Sequence, residues 1–113
     1  MDRGFFKGKV IIITGASSGI GLASARLFSS YGASLVLAAR SIDKLRALKA
    51  ELSSAPSRIL CIKTDVSVEE DCRRLIDEAV RHFGRIDILI NNAGLSMRAS
   101  FKEVDLSVIR RLM

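Results

Sequence analysis

Short runs of consecutive apolar residues alternate along the chain with longer segments in which apolar residues recur every three or four positions. A continuous apolar run is typical of a strand that is covered on both faces in a parallel sheet. The longer segments are typical of helices that bury a single face. The pattern predicts four strands, at residues 10–13, 35–39, 58–63 and 86–90.

Three helices are predicted in the segments between these strands. The first spans residues 19–30, and the second lies between the second and third strands. The third is expected to begin at a capping box formed by Ser67 and Glu70 and to end at Gly84, where glycine permits a left-handed stop. A further helix is predicted from near Asp105.

Strands and helices that alternate at intervals of about 25 residues imply right-handed crossovers between parallel strands. The sequence therefore predicts an α/β fold, a Rossmann-type doubly wound parallel sheet with flanking helices. The simplest strand order is 3-2-1-4.

The predicted domain is expected to be incomplete at its C-terminus. The apolar pattern of the last helix runs to Met113 without a stop signal, so residues 1–113 are interpreted as part of one Rossmann domain. The strand at 86–90 would then lack its next neighbour, and its unpaired backbone edge predicts self-association or pairing with the missing C-terminal half.

The chain of 113 residues is 49% hydrophobic and carries a net charge of +6. A basic chain is compatible with nucleic-acid binding, but here the cations are dispersed. The densest pairs are Arg73 with Arg74 and Arg110 with Arg111, and no aromatic residues interleave with them. We therefore expect no nucleic-acid partner.

The two cysteines and the apolar runs argue against two further classes of protein. Cys61 and Cys72 lack metal-type spacing and are expected to be buried thiols, so no metal site is predicted. No apolar run approaches the roughly 18 residues that span a bilayer, and no secretory segment follows Met1. The sequence predicts a cytoplasmic protein without a membrane span.

Residues 14–21 read TGASSGIG and join the first predicted strand to the first predicted helix. In that context glycines form a phosphate site. Gly15 permits a sharp turn, Gly19 lets the backbone approach a pyrophosphate, and Gly21 leaves no side chain between helix and sheet. Free N–H groups and the positive end of the helix dipole would face the anion. The alternative is an ordinary tight turn rich in small residues.

Arg40 and Ser41 follow the second predicted strand, where NAD-specific folds place an acidic residue on the ribose. An arginine can hold a 2′-phosphate bidentately, and a serine can donate its hydroxyl. This pair predicts a preference for NADP(H) over NAD(H). The alternative is a surface arginine at a strand end.

Two more polar segments follow the third and fourth predicted strands. Asp65 could accept a hydrogen bond from an adenine amino group while Val66 packs on the ring, although an ordinary loop aspartate is the alternative. Residues 91–94 read NNAG, and their amides could tie neighbouring strand ends together beside the cofactor.

Together these four segments resemble the short-chain dehydrogenase/reductase family in its NADP(H)-preferring form, and the resemblance covers nearly the whole chain. It implies that the chain is the NADP(H)-binding portion of an oxidoreductase that transfers hydride between nicotinamide and a carbonyl or alcohol. The cofactor-binding residues it implies are Thr14, Gly15, Ser17, Ser18, Gly19, Ile20, Gly21, Arg40, Ser41, Asp65, Val66, Asn91, Ala93 and Gly94.

The chain departs from the family at its catalytic residues. The family uses a serine and a Tyr-x-x-x-Lys beyond the NNAG segment, whereas Tyr31 is the single tyrosine here and Leu35 stands where the lysine would be. Tyr31 is instead expected to pack near a helix end, and His82 to lie near the end of the third helix. We predict no catalytic residue in these 113 residues. The alternative function is a non-catalytic NADP(H)-binding or interaction module.

Overall fold

A computed structural model describes residues 3–53 and 58–92 of the chain. A short 3-10 turn at Arg3–Phe5 precedes alternating strands and helices. Their bounds are β1 Val10–Thr14, α1 Gly19–Ser30, β2 Ser34–Ala39, α2 Ile42–Glu51, β3 Ile59–Lys63, α3 Glu69–Phe83 and β4 Ile88–Ile90. The predicted helix from near Asp105, together with Ala93 and Gly94, lies outside the described residues.

The four strands form one parallel sheet in the order β3-β2-β1-β4, which confirms the predicted Rossmann-type topology. Ile12 of β1 pairs with Val36 of β2 on one side and with Leu89 of β4 on the other. In the described part of the chain β4 pairs with β1 alone, and self-association through its second edge stays a prediction.

Both faces of the sheet are covered, because successive side chains of a strand point to opposite sides. Ile12 and Val36 pack with the apolar face of α3, while Ile11 and Leu35 pack with residues of α1 and α2. All eleven residues of β1 and β2 are buried. The continuous apolar runs that predicted these strands are thus explained by helices on both sides.

The fourth strand is shorter than predicted, because Ile86 and Asp87 lie outside it although both are buried. Asp87 replaces part of the strand pairing with its own side chain. Its carboxylate accepts the Val10 N–H at 2.8 Å, while its backbone N–H donates to the Val10 carbonyl at 2.9 Å. Arg85 donates to the same carboxylate, so the start of β4 is fastened to the start of β1 by a carboxylate clamp.

The predicted capping box at the start of α3 is wrong. The N-cap is Val68, whose carbonyl accepts from the N–H groups of Asp71 and Cys72, and no side chain caps the helix. Ser67 does not cap because its hydroxyl and N–H both bond to the Asp65 carboxylate. The end of the helix is as predicted, with Gly84 in the left-handed conformation.

The cysteine prediction holds for one residue of the two. Cys72 is buried on the inner face of α3, whereas Cys61 is half-buried, because β3 lies at the edge of the four-stranded sheet. Both are free thiols. Within residues 3–53 and 58–92, no helix is both long and apolar enough to cross a bilayer, and no three His, Cys, Asp or Glu side chains gather as metal ligands.

Candidate nucleotide-binding site

The turn between β1 and α1 has the backbone shape that its glycines predict. Gly15 and Gly19 both have positive φ, +63° and +57°, a conformation that residues with side chains rarely adopt. The first hydrogen bond of α1 runs from the Leu22 N–H to the Ser18 carbonyl. The N–H groups just before Leu22 are therefore the ones that a helix leaves without an internal acceptor.

Gly21 is required by close contact within the site and not by its backbone angle. A Cβ atom at this position would lie 2.2 Å from the Gly15 carbonyl oxygen and 2.9 Å from the Asn92 amide nitrogen. Any side chain would therefore push the helix off the preceding turn. The expected role of Gly21 in close packing is supported, although the nearest neighbour is the turn itself and not the sheet.

Thr14, Asn91 and Asn92 join the end of β1 to the end of β4. The Thr14 hydroxyl accepts the Asn92 N–H at 2.9 Å and lies 3.4 Å from the Ile90 carbonyl oxygen. The Asn92 amide donates to the Gly15 carbonyl at 3.5 Å. Thr14 is fully buried by these contacts. The amides thus tie neighbouring strand ends together, as the NNAG segment suggested.

An open cleft of about 530 Å³ lies at the ends of β1, β2 and β3, and we call it the carboxyl-edge cleft. This volume is within the usual range of small-molecule sites. Its lining residues are Gly15, Ser17, Ser18, Ala39, Arg40, Ser41, Lys44, Thr64, Asp65, Val66 and Ser67.

The cleft brings together seven of the predicted site residues, which are Gly15, Ser17, Ser18, Arg40, Ser41, Asp65 and Val66. Thr14 and Gly21 are buried and do not line it, and Asn91 follows β4, with its side-chain oxygen 3.4 Å from the Thr14 hydroxyl. Gly19 and Ile20 are exposed at the start of α1, where Ile20 is 74% exposed.

Two cations face the cleft from the segment that follows β2. Arg40 and Lys44 are both exposed, and within residues 3–53 and 58–92 neither forms an ion pair. Between them, the Ser41 hydroxyl oxygen caps α2 by accepting the Lys44 N–H at 3.3 Å. The serine proton is still available to a ligand, because a hydroxyl can accept and donate at once.

Asp65 supplies the one carboxylate among the described residues that line the cleft. Hydrogen bonds from the Ser67 hydroxyl, at 2.6 Å, and from the Ser67 N–H, at 3.0 Å, hold the pKa of Asp65 below its ordinary value. Slight burial opposes this shift, and the charge of Arg40 adds to it. Asp65 is therefore an ionised acceptor in the same cleft as the two cations.

Lys44 and Ser67 line the cleft but were not predicted as site residues. Lys44 lies three residues after Ser41, in the first turn of α2, so a search of that turn for cations would have found it. Ser67 was interpreted as a helix cap. The Asp-x-Ser spacing from Asp65 also fits a side-chain turn, which competes with the helix cap for the serine.

Tyr31 lies at the opposite edge of the sheet, as its expected packing role requires. Its ring stacks on Phe6 with centroids 5.7 Å apart and meets Phe28 edge-on. His82 is exposed near the end of α3 and packs against the ring of Phe83. Neither side chain lines the carboxyl-edge cleft.

A second hollow of about 510 Å³ lies beside Tyr31, and we call it the amino-edge hollow. It also contains two cations, Lys7 and Arg58, but it lies where α1 ends. The carbonyl end of a helix carries partial negative charge. This hollow is therefore less suited to an anion than the cleft, where α1 and α2 begin.

A family model described as short chain dehydrogenase matches residues 9–113. Over 98 residues the chain is 45% identical to an 11-beta-hydroxysteroid dehydrogenase of Pinus massoniana, and the match covers 86% of this chain and 28% of that protein.

Two solved structures are similar in both fold and sequence. L-sorbose reductase from Gluconobacter frateurii, complexed with NADPH and L-sorbose, matches with a TM-score of 0.78 and 43% identity over 84% of this chain and 36% of that one. A short chain dehydrogenase/reductase from Burkholderia phymatum, in complex with NAD, matches with a TM-score of 0.72 and 37% identity over 79% and 31%. The chain thus spans about a third of these proteins.

Proposed function

The chain belongs to the short-chain dehydrogenase family, and from this premise we propose that the carboxyl-edge cleft binds the adenosine half of NADP(H). Two neighbours in the family were solved with different cofactors, one with NADPH and one with NAD. Membership of the family therefore leaves the choice between NADP(H) and NAD(H) open, and the residues that follow β2 must determine it.

The observation that carries the NADP(H) proposal is the presence beside the start of α2 of two cations that form no ion pair within residues 3–53 and 58–92. Arg40 and Lys44 flank the Ser41 hydroxyl, and no carboxylate stands at the end of β2 where NAD-specific folds place one. A 2′-phosphate would gain charge-assisted hydrogen bonds from these side chains and the favourable end of the helix dipole. NAD(H) carries a neutral 2′-hydroxyl there, without the negative charge that these cations attract.

The diphosphate is proposed to lie at the turn after β1. Gly15, Ser17 and Ser18 line the cleft there, and the early N–H groups of α1 at Gly19, Ile20 and Gly21 come before its first internal hydrogen bond. A Cβ at Gly19 would meet nothing within 4 Å, so this backbone is open to a ligand. These features fit an anion held by main-chain donors.

The base is proposed to lie against Asp65 and Val66, on the opposite wall of the cleft. Asn91 is proposed to border the cofactor next to β1, together with Ala93 and Gly94, which lie outside the described residues.

For the whole protein we propose hydride transfer between the nicotinamide of NADP(H) and a carbonyl or alcohol substrate. The names of its relatives, a dehydrogenase and a reductase, support this class of reaction. The cofactor supplies the hydride, and the residues of this chain bind and orient it.

Titration with NADPH and NADH tests the NADP(H) proposal. The chain is expected to bind NADPH more tightly, and Arg40→Ala should weaken NADPH binding by about tenfold to a hundredfold, the range for one or two charge-assisted hydrogen bonds. Binding of NADH should change little. Arg46→Ala is the matched control, because Arg46 is exposed on α2 but does not line the cleft. Equal affinities that the Arg40 variant leaves unchanged would refute the proposal.

A further inference from the structure

The loop after β3 is folded around the carboxylate of Asp65. The Asp65 carbonyl accepts the Val68 N–H at 3.0 Å, which closes a four-residue turn. Inside that turn, the Ser67 hydroxyl and N–H both donate to Oδ1 of Asp65. At its start, the Asp65 N–H donates to the Asp71 carboxylate at 2.8 Å. Backbone and side chain of Asp65 are therefore both held in place.

The two oxygens of the Asp65 carboxylate differ in their surroundings. Oδ1 accepts two hydrogen bonds from Ser67, whereas Oδ2 has no hydrogen-bond partner within the described part of the chain. Both Asp65 and Ser67 line the carboxyl-edge cleft. One carboxylate oxygen thus orients the group, and the other is available to a ligand.

We propose that Ser67 is a positioning residue, which fixes Asp65 so that the cleft selects a purine with an exocyclic amino group over one with a carbonyl oxygen at the same position. This inference rests on the proposed function, because it concerns the base of the same dinucleotide. An ionised carboxylate can accept a hydrogen bond but cannot donate one. It attracts the amino group of adenine and repels the carbonyl oxygen of hypoxanthine.

The Ser67 hydroxyl contributes to this selection by removing rotational freedom from the Asp65 side chain. Without the hydroxyl, a single hydrogen bond from the Ser67 N–H would orient the carboxylate. The side chain would then turn more freely toward solvent, and part of the binding free energy would be spent on ordering it again. A purely structural role of Ser67 in the turn before α3 would instead weaken binding of every dinucleotide equally.

The experiment compares NADP⁺ with its deamino analogue, in which hypoxanthine replaces adenine. The wild-type chain is expected to bind NADP⁺ about tenfold more tightly than the analogue, the value of one hydrogen bond to a charged group. Ser67→Ala should raise the dissociation constant of NADP⁺ by roughly three- to tenfold and that of the analogue by less than about twofold. Ser67→Thr keeps the hydroxyl and should restore discrimination.

Ser30→Ala is the matched control. It also removes a serine hydroxyl that donates to a carbonyl oxygen, that of Leu27, but at the far end of α1. Both dissociation constants should stay at the wild-type values. Equal weakening of NADP⁺ and its analogue by Ser67→Ala would overturn the inference and assign Ser67 a structural role.

The same comparison with NAD⁺ and deamino-NAD⁺ separates this inference from the proposed function. Base discrimination in this pair that Ser67→Ala removes, without preference for NADP(H), would refute the role of Arg40 and support that of Ser67. A preference for NADP(H) without base discrimination would support the role of Arg40 and refute that of Ser67. Failure to bind any of the four dinucleotides would overturn both.

Discussion

The carboxyl-edge cleft and the amino-edge hollow lie at opposite ends of the same strands and differ little in size, at about 530 and 510 Å³. Each is lined by one arginine and one lysine. Volume and cation content therefore do not distinguish the proposed nucleotide site from an ordinary surface depression on this molecule.

Helix direction is what separates the two regions. Gly19 and Ile42 begin α1 and α2 beside the cleft, so main-chain donors face it, whereas Ser30 ends α1 beside the hollow. At that end the N–H groups of Tyr31 and Gly32 already bond to carbonyls of α1. We infer that the carboxyl edge is used for binding and that the amino edge contributes mainly to stability.

Substitution of Phe6 should have the largest effect of all, and this effect should be on stability and not on binding. Its side chain is 7% exposed and packs against the rings of Phe28 and Tyr31 at the amino edge. Phe6→Ala is expected to lower the free energy of unfolding by about 3 kcal/mol, the usual loss for a buried aromatic ring. Urea unfolding measures the change. The control Phe5→Ala should cost far less, because Phe5 is 57% exposed.

If Phe6→Ala reduced the free energy of NADPH binding by as much as it reduced the free energy of unfolding, the division between the two edges would be wrong. Affinity should therefore be measured at a temperature where the variant remains folded.

Asp87 should give the next largest loss of stability. Asp87→Ala removes the acceptor of the buried Val10 N–H and leaves Arg85 without its carboxylate. The free energy of unfolding should fall by about 2 kcal/mol, as expected when a buried donor is left unsatisfied. Thermal unfolding provides the measurement, with Asp77→Ala on the exposed face of α3 as the control. Unchanged stability would show that the carboxylate clamp is dispensable.

Substitutions of Lys44 and Lys7 allow the two regions to be compared by their effect on NADPH binding alone. Lys44→Met, which keeps most of the aliphatic side chain, should weaken NADPH binding by about fivefold, or roughly 1 kcal/mol. Lys7→Met at the amino-edge hollow should leave the dissociation constant unchanged. Isothermal titration calorimetry of both variants tests this, and equal losses would point to a general effect of net charge and not to a local contact.

The smallest effect is the pH dependence that Asp87 adds to stability. Burial acts to raise the pKa of this carboxyl, but hydrogen bonds from Arg85 and the Val10 N–H outweigh it and hold the pKa below its ordinary value. The stabilisation is therefore complete above the unfolded value of about 3.9 and is lost as the pH falls through the lower folded value. Urea unfolding between pH 5 and pH 2 should show a shallower decline for Asp87→Asn, and an identical slope would contradict this prediction.

The strands and helices could be predicted because their signals are local. The apolar run at residues 10–13 needs no knowledge of its neighbours to be interpreted as a buried strand. Two of the errors arose where a distant partner decides the structure. Asp87 left the predicted strand because Val10, 77 residues away, bonds to its side chain, and Cys61 is half-buried because β3 lies at an edge of the sheet.

The site could be predicted in part for the same reason. Arg40 and Asp65 follow strands directly, so the sheet alone brings them to one edge. Ser67 had two local partners to choose from, the start of α3 and the carboxylate of Asp65, and a sequence pattern does not weigh one against the other. Lys44 could have been named as a candidate from the first turn of α2, but whether it lines the cleft depends on how α2 packs.

The hydrogen bond from the Asn92 N–H to the Thr14 hydroxyl has a consequence for synthesis of the protein. It joins residues 78 positions apart, and the Asn92 amide also reaches the Gly15 carbonyl. The residues of the glycine turn are synthesised early, but these contacts can form only after the fourth strand has left the exit tunnel of the ribosome. Affinity for nucleotide should consequently develop late during translation. Nascent chains that end before residue 92 should therefore bind only weakly to immobilised adenosine bisphosphate.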